Sequence, residues 1–468
     1  MKLLHTADLH LGKSLENQDR YDEQWGVLEE IAQIAEDQDV DLVLLAGDTF
    51  DAFNPPAEAE RMFFSFLHRL SSQAKRAVVI IAGNHDQPQR LSAAQPLLVE
   101  QGVFVIGLPG DLPQPGTVAA ADQNRIFLKS VTNHCLKLHL PRCAEDVTIL
   151  ALPYVSESRL NELFIEDLSD QKQTKKNYQY KLTQILQEAA ADFNSDGINI
   201  IMTHLSLVGG SRSDSERLLA YDIKNSETDG EEDVVFDSNP IYGNHDNRIH
   251  CPGGIRTVQE EEGLKIGGSF GLSPKIFPVA DYIALGHFHR PQRIQLQTPC
   301  YYAGSPLAYS FSEVGQTKSV MIAELKRDHA LNIQAVPLKN GYPLASWQAE
   351  SFTQALEWCG DEEKQNVWVD LSIKSQQPLS MDEIAQLHRA HKRLVGVRVI
   401  LPEMQAQVQQ ESISHLSIRD KFCLFATQKD GFKPQAELVD LFSELLVKIN
   451  EQSEEQIEQY AEPGGKKL

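Results

Sequence analysis

At 468 residues, with 41% hydrophobic and 23% charged side chains, the chain is long enough for two or three folded units and has an ordinary globular composition. No apolar run approaches the ~18 residues of a membrane span, and the N-terminal "MKLLHTADLHLGKS" is interrupted by His5, Asp8 and His10 where a signal-peptide core stays apolar, so a soluble cytoplasmic protein is expected. With 43 basic against 66 acidic residues the formal charge is −23, which repels polyanions at long range and speaks against nucleic acid unless local patches, bound metals or a basic partner reverse it.

The first third of the chain alternates strand and helix. "KLLHTAD" reads as a strand, "YDEQWGVLEEIAQIAEDQ" as a helix and "VDLVLLAGD" as a buried strand; "PPAEAERMFFSFLHRLSS" is a helix opened by proline, and "RAVVIIAGNHD" is the next strand. Further apolar strands are predicted at "VTILALPY", "INIIMTHLSL" and "ADYIALGHFHR", with a polar helix near "QYKLTQILQEAAADF" between the first two. The stretch from about 221 to 265 is acid- and glycine-rich with little periodicity, and reads as a tolerated surface insertion. Beyond a boundary expected near Gly315 the pattern turns strand-rich ("KSVMIAELK", "NVWVDLSIKS", "GVRVILP") around one helix, "MDEIAQLHRAHKR". Leu438, Leu441, Phe442, Leu445 and Ile449 then share one helical face ahead of a polar tail. The expected organisation is therefore an α/β catalytic domain over residues 1–315, a smaller α+β domain over 316–405 and a C-terminal helical segment over 406–468.

Six scattered cysteines form no disulfide framework in a chain of this size, so reduced thiols are expected. "HCLKLHLPRC", with Cys135, His139 and Cys143, lacks the close pairs of a structural zinc site and alternates like a strand.

Open α/β sheets place their ligands at the C-terminal ends of the strands. The residues there are unusual. "HTADLH" supplies Asp8 and His10 on one face of the chain, and "LLAGDTFD" supplies Asp48 after Gly47. "AGNHD" supplies Asn84 and His85, "MTHLS" supplies His204, and "GHFH" supplies His287 and His289. A second "GNHD" at Gly243–Asp246 follows no strand and reads as a coincidence of turn-forming residues. Mixed nitrogen and oxygen donors of this kind suit manganese, iron or zinc, and seven are too many for one ion. A two-metal site resolves the count, with Asp48 as the bridging carboxylate between ions ~3.5 to 4 Å apart that clamp a phosphate ester. His85 is left over as the acid that protonates a leaving alkoxide, and Asp86 is placed to orient its imidazole.

The series "DLH", "GDTFD", "GNHD", "THLS" and "GHFH" resembles the calcineurin-type metallophosphoesterase superfamily. "GGSRSDSER", "ADYIALGHFHRPQ" and "YYAGSPLAYSF" narrow the likeness to the nuclease subunits of bacterial double-strand-break complexes. The resemblance implies a four-layer sandwich of two mixed β-sheets flanked by helices, with a capping domain beyond it. It implies two manganese ions, one held by Asp8, His10, Asp48 and His289, the other by Asp48, Asn84, His204 and His287, with His85 as the acid. Asp51 stands where some relatives carry a histidine.

The likeness further implies an exonuclease and endonuclease on duplex ends and hairpins, associated with the nucleoid. It would work as a homodimer within a heterotetramer with a coiled-coil ATPase, docked through the face of Leu438, Leu441, Phe442, Leu445 and Ile449. Candidates for phosphate contact are Lys175 and Lys176, and Arg389, Lys392 and Arg393; the alternative for each set is an exposed helix face. Two other readings stay open. A phosphatase or cyclic-nucleotide phosphodiesterase would share the metal site but needs no second domain, and an inactive DNA-end scaffold would have no chemical need for the ligands.

Overall fold

The computed structural model describes residues 1–113, 125–132, 134–143, 145–155, 171–194, 196–211, 213, 216, 271–326 and 332–401. The 221–265 insertion with its second "GNHD" and the stripe from Leu438 to Ile449 lie outside these residues.

The apolar runs of the N-terminal third become neighbouring parallel strands: β1 (Lys2–Thr6), β2 (Leu42–Ala46), β3 (Ala77–Ile81) and β4 (Val103–Ile106). β2 and β3 are buried along their whole length, which is why "LVLLA" and "AVVII" show no alternation. Outside β1 lie β12 (Ser319–Glu324) and β13 (Asn332–Pro337), each antiparallel to its neighbour. The first sheet therefore runs β13-β12-β1-β2-β3-β4 and draws on sequence beyond Gly315, so no break in the sheet coincides with the expected boundary.

A second sheet has the order β10-β11-β9-β8-β7-β6-β5. Its strands are β5 (Phe127–Thr132), β6 (Cys135–Leu140), β7 (Glu145–Leu152), β8 (Ile198–His204), β9 (Tyr282–Gly286), β10 (Gln292–Ile294) and β11 (Cys300–Tyr302). β7, β8, β9 and β11 are parallel and the edges antiparallel, so both sheets are mixed.

The sheets face each other across one core, in which Leu44, Val79, Ile81 and Phe104 meet Leu138, Ile149, Ile200 and Met202. The outer face of the first sheet is covered by helices α1 (Tyr21–Asp37) and α2 (Ala57–Ser71). Two short helices, α3 (Pro88–Ser92) and α4 (Gln95–Leu98), follow β3. Helix α5 (Gln171–Ala190) covers the outer face of the second sheet through Leu182, Ile185, Leu186 and Ala189. Helices, sheet, sheet and helix make the four layers expected from the sequence.

Neither α1 nor α2 ends on a glycine, and buried Arg76 serves instead. Its guanidinium donates to Ala35 O, Val40 O and Leu70 O, each at 2.9 Å, and so ties the ends of both helices to the turn between α1 and β2; Ala35 O also accepts the Val40 N–H at 3.0 Å.

The smaller unit is a parallel three-stranded sheet, β14 (Leu344–Ala349), β15 (Trp368–Lys374) and β16 (Leu394–Ile400), with α6 (Phe352–Cys359) and α7 (Met381–Ala390) packed on it. It meets the larger unit at Glu23 of α1. That carboxylate accepts from Arg20 Nε (2.5 Å), Trp368 Nε1 (2.8 Å) and the Tyr342 N–H (2.6 Å), while Leu15, Leu344 and Trp368 pack beside it. Among the described residues no helix is long and apolar enough to cross a membrane.

Candidate metal centre

The parallel strands of both sheets point their C-terminal ends to one place. Asp8 and His10 follow β1, Asp48 follows β2 and Asn84 follows β3 in the first sheet. His204 ends β8, and His287 and His289 follow β9 in the second. All seven are buried.

Their donor atoms converge in two groups. His10 Nε2 lies 3.0 Å from His289 Nε2. Asn84 Oδ1 lies 3.0 Å from His204 Nε2 and 3.1 Å from His287 Nδ1. Asp48 Oδ2 stands between the groups, 3.4 Å from His204 Nε2 and 3.7 Å from His10 Nε2. Asp8 belongs to both, since its carboxylate clusters with His10 and His289 and also with Asp48 and His204. Two imidazole nitrogens aimed at each other, and an amide oxygen aimed at two more, are what lone pairs do around a cation. The Asn84 Nδ2 atom, buried without a partner among the described residues, shows that the amide is turned to present its oxygen. The donor set fits divalent ions, and the arrangement is a divalent metal site.

Local backbone geometry is set for this purpose. Asp8 (φ 54°), His10 (φ 44°), Asp48 (φ 51°) and His287 (φ 107°) all adopt the left-handed region, where side chains with a Cβ are uncommon. The strained turns are held by bonds between loops: Asp8 N–H to Gly47 O, His10 N–H to Asp48 O and Leu11 N–H to Thr49 O, each at 3.0 Å. Glycine is required at three contacts. A Cβ on Gly47, itself at φ 92°, would lie 2.3 Å from His204 Nδ1, one on Gly83 would lie 2.1 Å from Asp48 Oδ1, and one on Gly286 would lie 1.8 Å from Ala46 O.

The ring of His204 is fixed from behind. Its Nδ1–H donates to Ala46 O at 2.8 Å, which turns Nε2 toward Asp48 and Asn84, where an ion would take the place of its proton. Burial would lower the His204 pKa, but Asp48 and Asp8 outweigh it and push it up to about 9. Burial works to raise Asp48, yet His204, His85 and His10 hold its carboxyl well below the usual range. Asp8 is pushed well above that range by burial and, against the pull of His204, by the charge of Asp48. Burial lowers His10 to about 4 and also lowers His289, so both rings present lone pairs at neutral pH.

His85 adjoins the cluster without a place in either group of donors around Asp48 Oδ2. Its backbone N–H donates to Asp48 Oδ1 at 2.8 Å, and its ring meets that of His10 edge-on at 4.7 Å between centroids. Its Nδ1 donates to the backbone carbonyl of Asp51 at 2.8 Å, so Nε2 is the nitrogen that exchanges a proton. Burial lowers its pKa.

Asp86 does not orient this imidazole, contrary to the expectation from sequence. Its carboxylate is consumed by three backbone N–H groups, those of Thr49 (3.1 Å), Phe50 (2.9 Å) and Gly83 (2.9 Å), and so ties the loop after β2 to the loop after β3. Burial, with the charge of Asp48, raises it to about 6. The orienting role falls to Asp51, whose carbonyl takes His85 and whose carboxylate lies 3.3 Å from His10 Nδ1 and 2.7 Å from Lys13 Nζ. Sequence reasoning passed over this because a main-chain acceptor leaves no mark in residue identity.

The other candidates are distributed. Arg389 and Lys392 are exposed on and beyond α7. Arg393 differs from the expected phosphate contact: its guanidinium stacks on Tyr342 at 3.5 Å and donates to Gln365 O at 2.7 Å. Lys175 and Lys176 lie on α5, but their side chains are outside the described residues. Cys135 and His139 have other partners, the Ala189 carbonyl and Asp146, and do not gather with Cys143 around a zinc ion. A recess of about 30 Å³ beside His204 and His287 is lined by Tyr154, Tyr178, Leu205, Ser206 and Leu272. The larger hollow, about 290 Å³ at Asp146, Val147 and Lys129, lies at the opposite end of β7 and takes no part.

The calcineurin-like phosphoesterase family matches over residues 1–291. The SbcD component of the SbcCD nuclease of Bacillus subtilis (strain 168) is 35% identical over 456 residues, covering 97% of this chain and 99% of that protein. Among solved structures, a dimetal phosphatase from Danio rerio aligns with a TM-score of 0.35 at 10% identity, over 72% of this chain and 98% of its own. GAP50, the anchor in the inner membrane complex of Plasmodium, aligns with a TM-score of 0.31 at 10% identity, over 72% and 84%.

Proposed function

Because the chain belongs to the calcineurin-like phosphoesterase family and matches an SbcD nuclease over nearly its whole length, we propose that it is a metal-dependent DNA nuclease that cuts phosphodiester bonds at double-strand ends and hairpins. The observation that carries the reading is the position of Asp48 Oδ2 between the two ligand groups. One carboxylate shared in this way suits a pair of ions and a phosphate ester laid across them.

Asp8, His10, Asp48 and His289 would hold one ion, and Asp48, Asn84, His204 and His287 the other; manganese suits the mixed donors. Bound there, the ions would supply Lewis acidity and lower the pKa of a water. The chain's own contribution is positional and acid–base. Ala46 O and Asp51 O fix the rings of His204 and His85, so that His85 Nε2 faces the reaction. His85 then delivers a proton from Nε2 to the departing alkoxide. The contact of its N–H with Asp48 Oδ1 keeps that acid in register with the ligand set.

The complex belongs to the same proposal. The protein acts in the cytoplasm on nucleoid DNA as the nuclease component of a repair and recombination complex, a homodimer with an SbcC-type coiled-coil ATPase. That partner would be engaged through residues 406–468, with Leu438, Leu441, Phe442, Leu445 and Ile449 as the docking face. Residues 344–400 form the capping unit, from which exposed Arg389 and Lys392 reach phosphate; Lys175 and Lys176 are further candidates. With a net charge of −23, attraction to DNA has to come from ions and partner, so the salt dependence of binding belongs mainly to the complex.

The purified chain is incubated with linear duplex DNA and Mn2+ beside a His85→Ala control. Metal-dependent shortening of the duplex that the variant lacks supports the reading. Turnover of a generic phosphomonoester without cutting of DNA replaces it with a phosphatase, and DNA binding without any hydrolysis replaces it with a scaffold.

A further inference from the structure

His289 is gripped at three points by residues that do not belong to the ligand set. Its backbone N–H donates to Glu216 Oε1 at 2.7 Å, and Glu216 Oε2 accepts the Ser213 N–H at 2.8 Å. Its carbonyl accepts from Lys318 Nζ at 2.9 Å. Its Nδ1 faces Glu313 Oε1 at 3.7 Å, an electrostatic contact. Glu313 and Lys318 pair with each other, and Lys318 also donates to Ser305 Oγ at 3.1 Å. Both are buried, at 1% and 8% exposure.

Such a pair calls for an explanation beyond folding. Taking two charges out of water costs several kcal/mol apiece, and apolar residues of similar volume stabilise a core as well or better. Here the pair is adjacent to one metal ligand. A histidine that holds a metal commonly gives its other ring N–H to a carboxylate, which fixes the tautomer and makes the coordinating nitrogen a better donor. Lys318 lets a charged carboxylate stand in this dry position, and by holding the His289 carbonyl it ties the loop after β9 to the start of β12. The grip therefore spans both sheets.

We propose that Glu313, backed by Lys318, is the positioning residue of His289: it holds the imidazole with Nδ1–H toward the carboxylate and Nε2 toward the ion, and so sets the affinity of the site formed with Asp8 and His10. The inference rests on the two-metal reading and goes beyond it, since it makes the two sites separately adjustable.

The test titrates Mn2+ into the metal-free full-length chain by calorimetry, with electron paramagnetic resonance to distinguish paired from single ions. Wild type binds two ions. Glu313→Gln keeps the shape and removes the charge; it weakens one site by about 10- to 100-fold and leaves the other within about 3-fold, and the spectrum changes from a coupled pair to a single ion at intermediate Mn2+. Lys318→Met weakens the same site. Two unchanged sites in Glu313→Gln overturn the inference alone, as does equal weakening of both sites, which marks a merely structural pair. A wild type that binds no Mn2+ overturns the two-metal reading together with this inference.

Discussion

Substitution Gly83→Ala adds one methyl group directly against the Asp48 carboxylate. The ideal Cβ would stand 2.1 Å from Asp48 Oδ1, 2.3 Å from Asp48 N and 2.7 Å from Asp48 Cγ. Gly83 is not in the left-handed region, so the penalty is contact rather than backbone strain. To reach an ordinary separation of roughly 3.4 Å, the carboxylate or the Gly83 loop has to retreat by about 1.3 Å. Asp48 has no slack for this: Oδ1 accepts the His85 N–H at 2.8 Å while Oδ2 stands 3.4 Å from His204 Nε2. Overpacking by one methyl costs about 1–3 kcal/mol, which a chain with three large cores survives. A displacement near 1 Å costs catalysis about 100-fold. Mn2+-dependent cleavage of linear duplex should therefore fall about 100-fold or more, with ion binding weakened and the urea midpoint only modestly lowered. A variant that folds and cuts within 3-fold of wild type would refute the argument that close approach of these loops builds the site.

Four further outcomes are expected. Because His85 is held by the carbonyl of Asp51, Asp51→Asn keeps that bond and should lower cleavage by about 10-fold or less, whereas His85→Ala removes the acid and should cost about 100- to 10,000-fold; rates on duplex DNA compare them. Arg76→Met deletes three buried bonds at the ends of α1 and α2 and should destabilise by about 3 kcal/mol or more, read from urea unfolding. Burial holds His5 at a pKa of about 3, below its ordinary 6.5, so the unfolded chain takes up a proton that the folded one refuses; its contribution is whole above pH 6.5, falls by about 2.7 kcal/mol by pH 4.5, and His5→Leu should flatten that stretch of the pH–stability curve. Glu23→Ala leaves the buried Arg20 unpaired and removes the acceptor of Trp368 and Tyr342, so cutting by a protease between 338 and 344 should accelerate well beyond wild type.

The convergence of the candidate ligands was legible in the sequence because each of them stands at the end of a strand whose apolar run is itself a signal. Asp8, Asp48, Asn84, His204 and His287 could be named from position alone once the strands were placed. Glu216, Glu313 and Lys318 could not: they meet His289 at its N–H, its Nδ1 and its carbonyl, and no periodicity relates them to it along the chain. Asp86 was misread for a related reason, since adjacency to His85 suggested a partner while the carboxylate turns to three amides instead. The boundary near Gly315 followed a change of pattern, but antiparallel pairing of β12 onto β1 joins the sequence ends of the larger unit in a way that local composition does not announce.

The site is also a joint between the two sheets, and this accounts for the strain within it. Four candidate ligands come from the first sheet and three from the second, so neither sheet contains a site by itself. Asp8, His10, Asp48 and His287 occupy backbone conformations that each cost about 1–3 kcal/mol, and such turns persist only where surroundings over-determine them. The over-determining bonds cross between the sheets: Asp8 accepts the His287 N–H at 3.0 Å, His204 Nδ1 donates to Ala46 O at 2.8 Å and Lys318 donates to His289 O at 2.9 Å. Packing of the apolar faces brings these partners together, and the same packing creates the crowded acceptors that a cation relieves. Ions that bind only this assembled geometry must stabilise the fold by mass action, by about 2.7 kcal/mol at a hundredfold excess over the dissociation constant. The chemistry and the joining of the two sheets thus depend on one set of contacts.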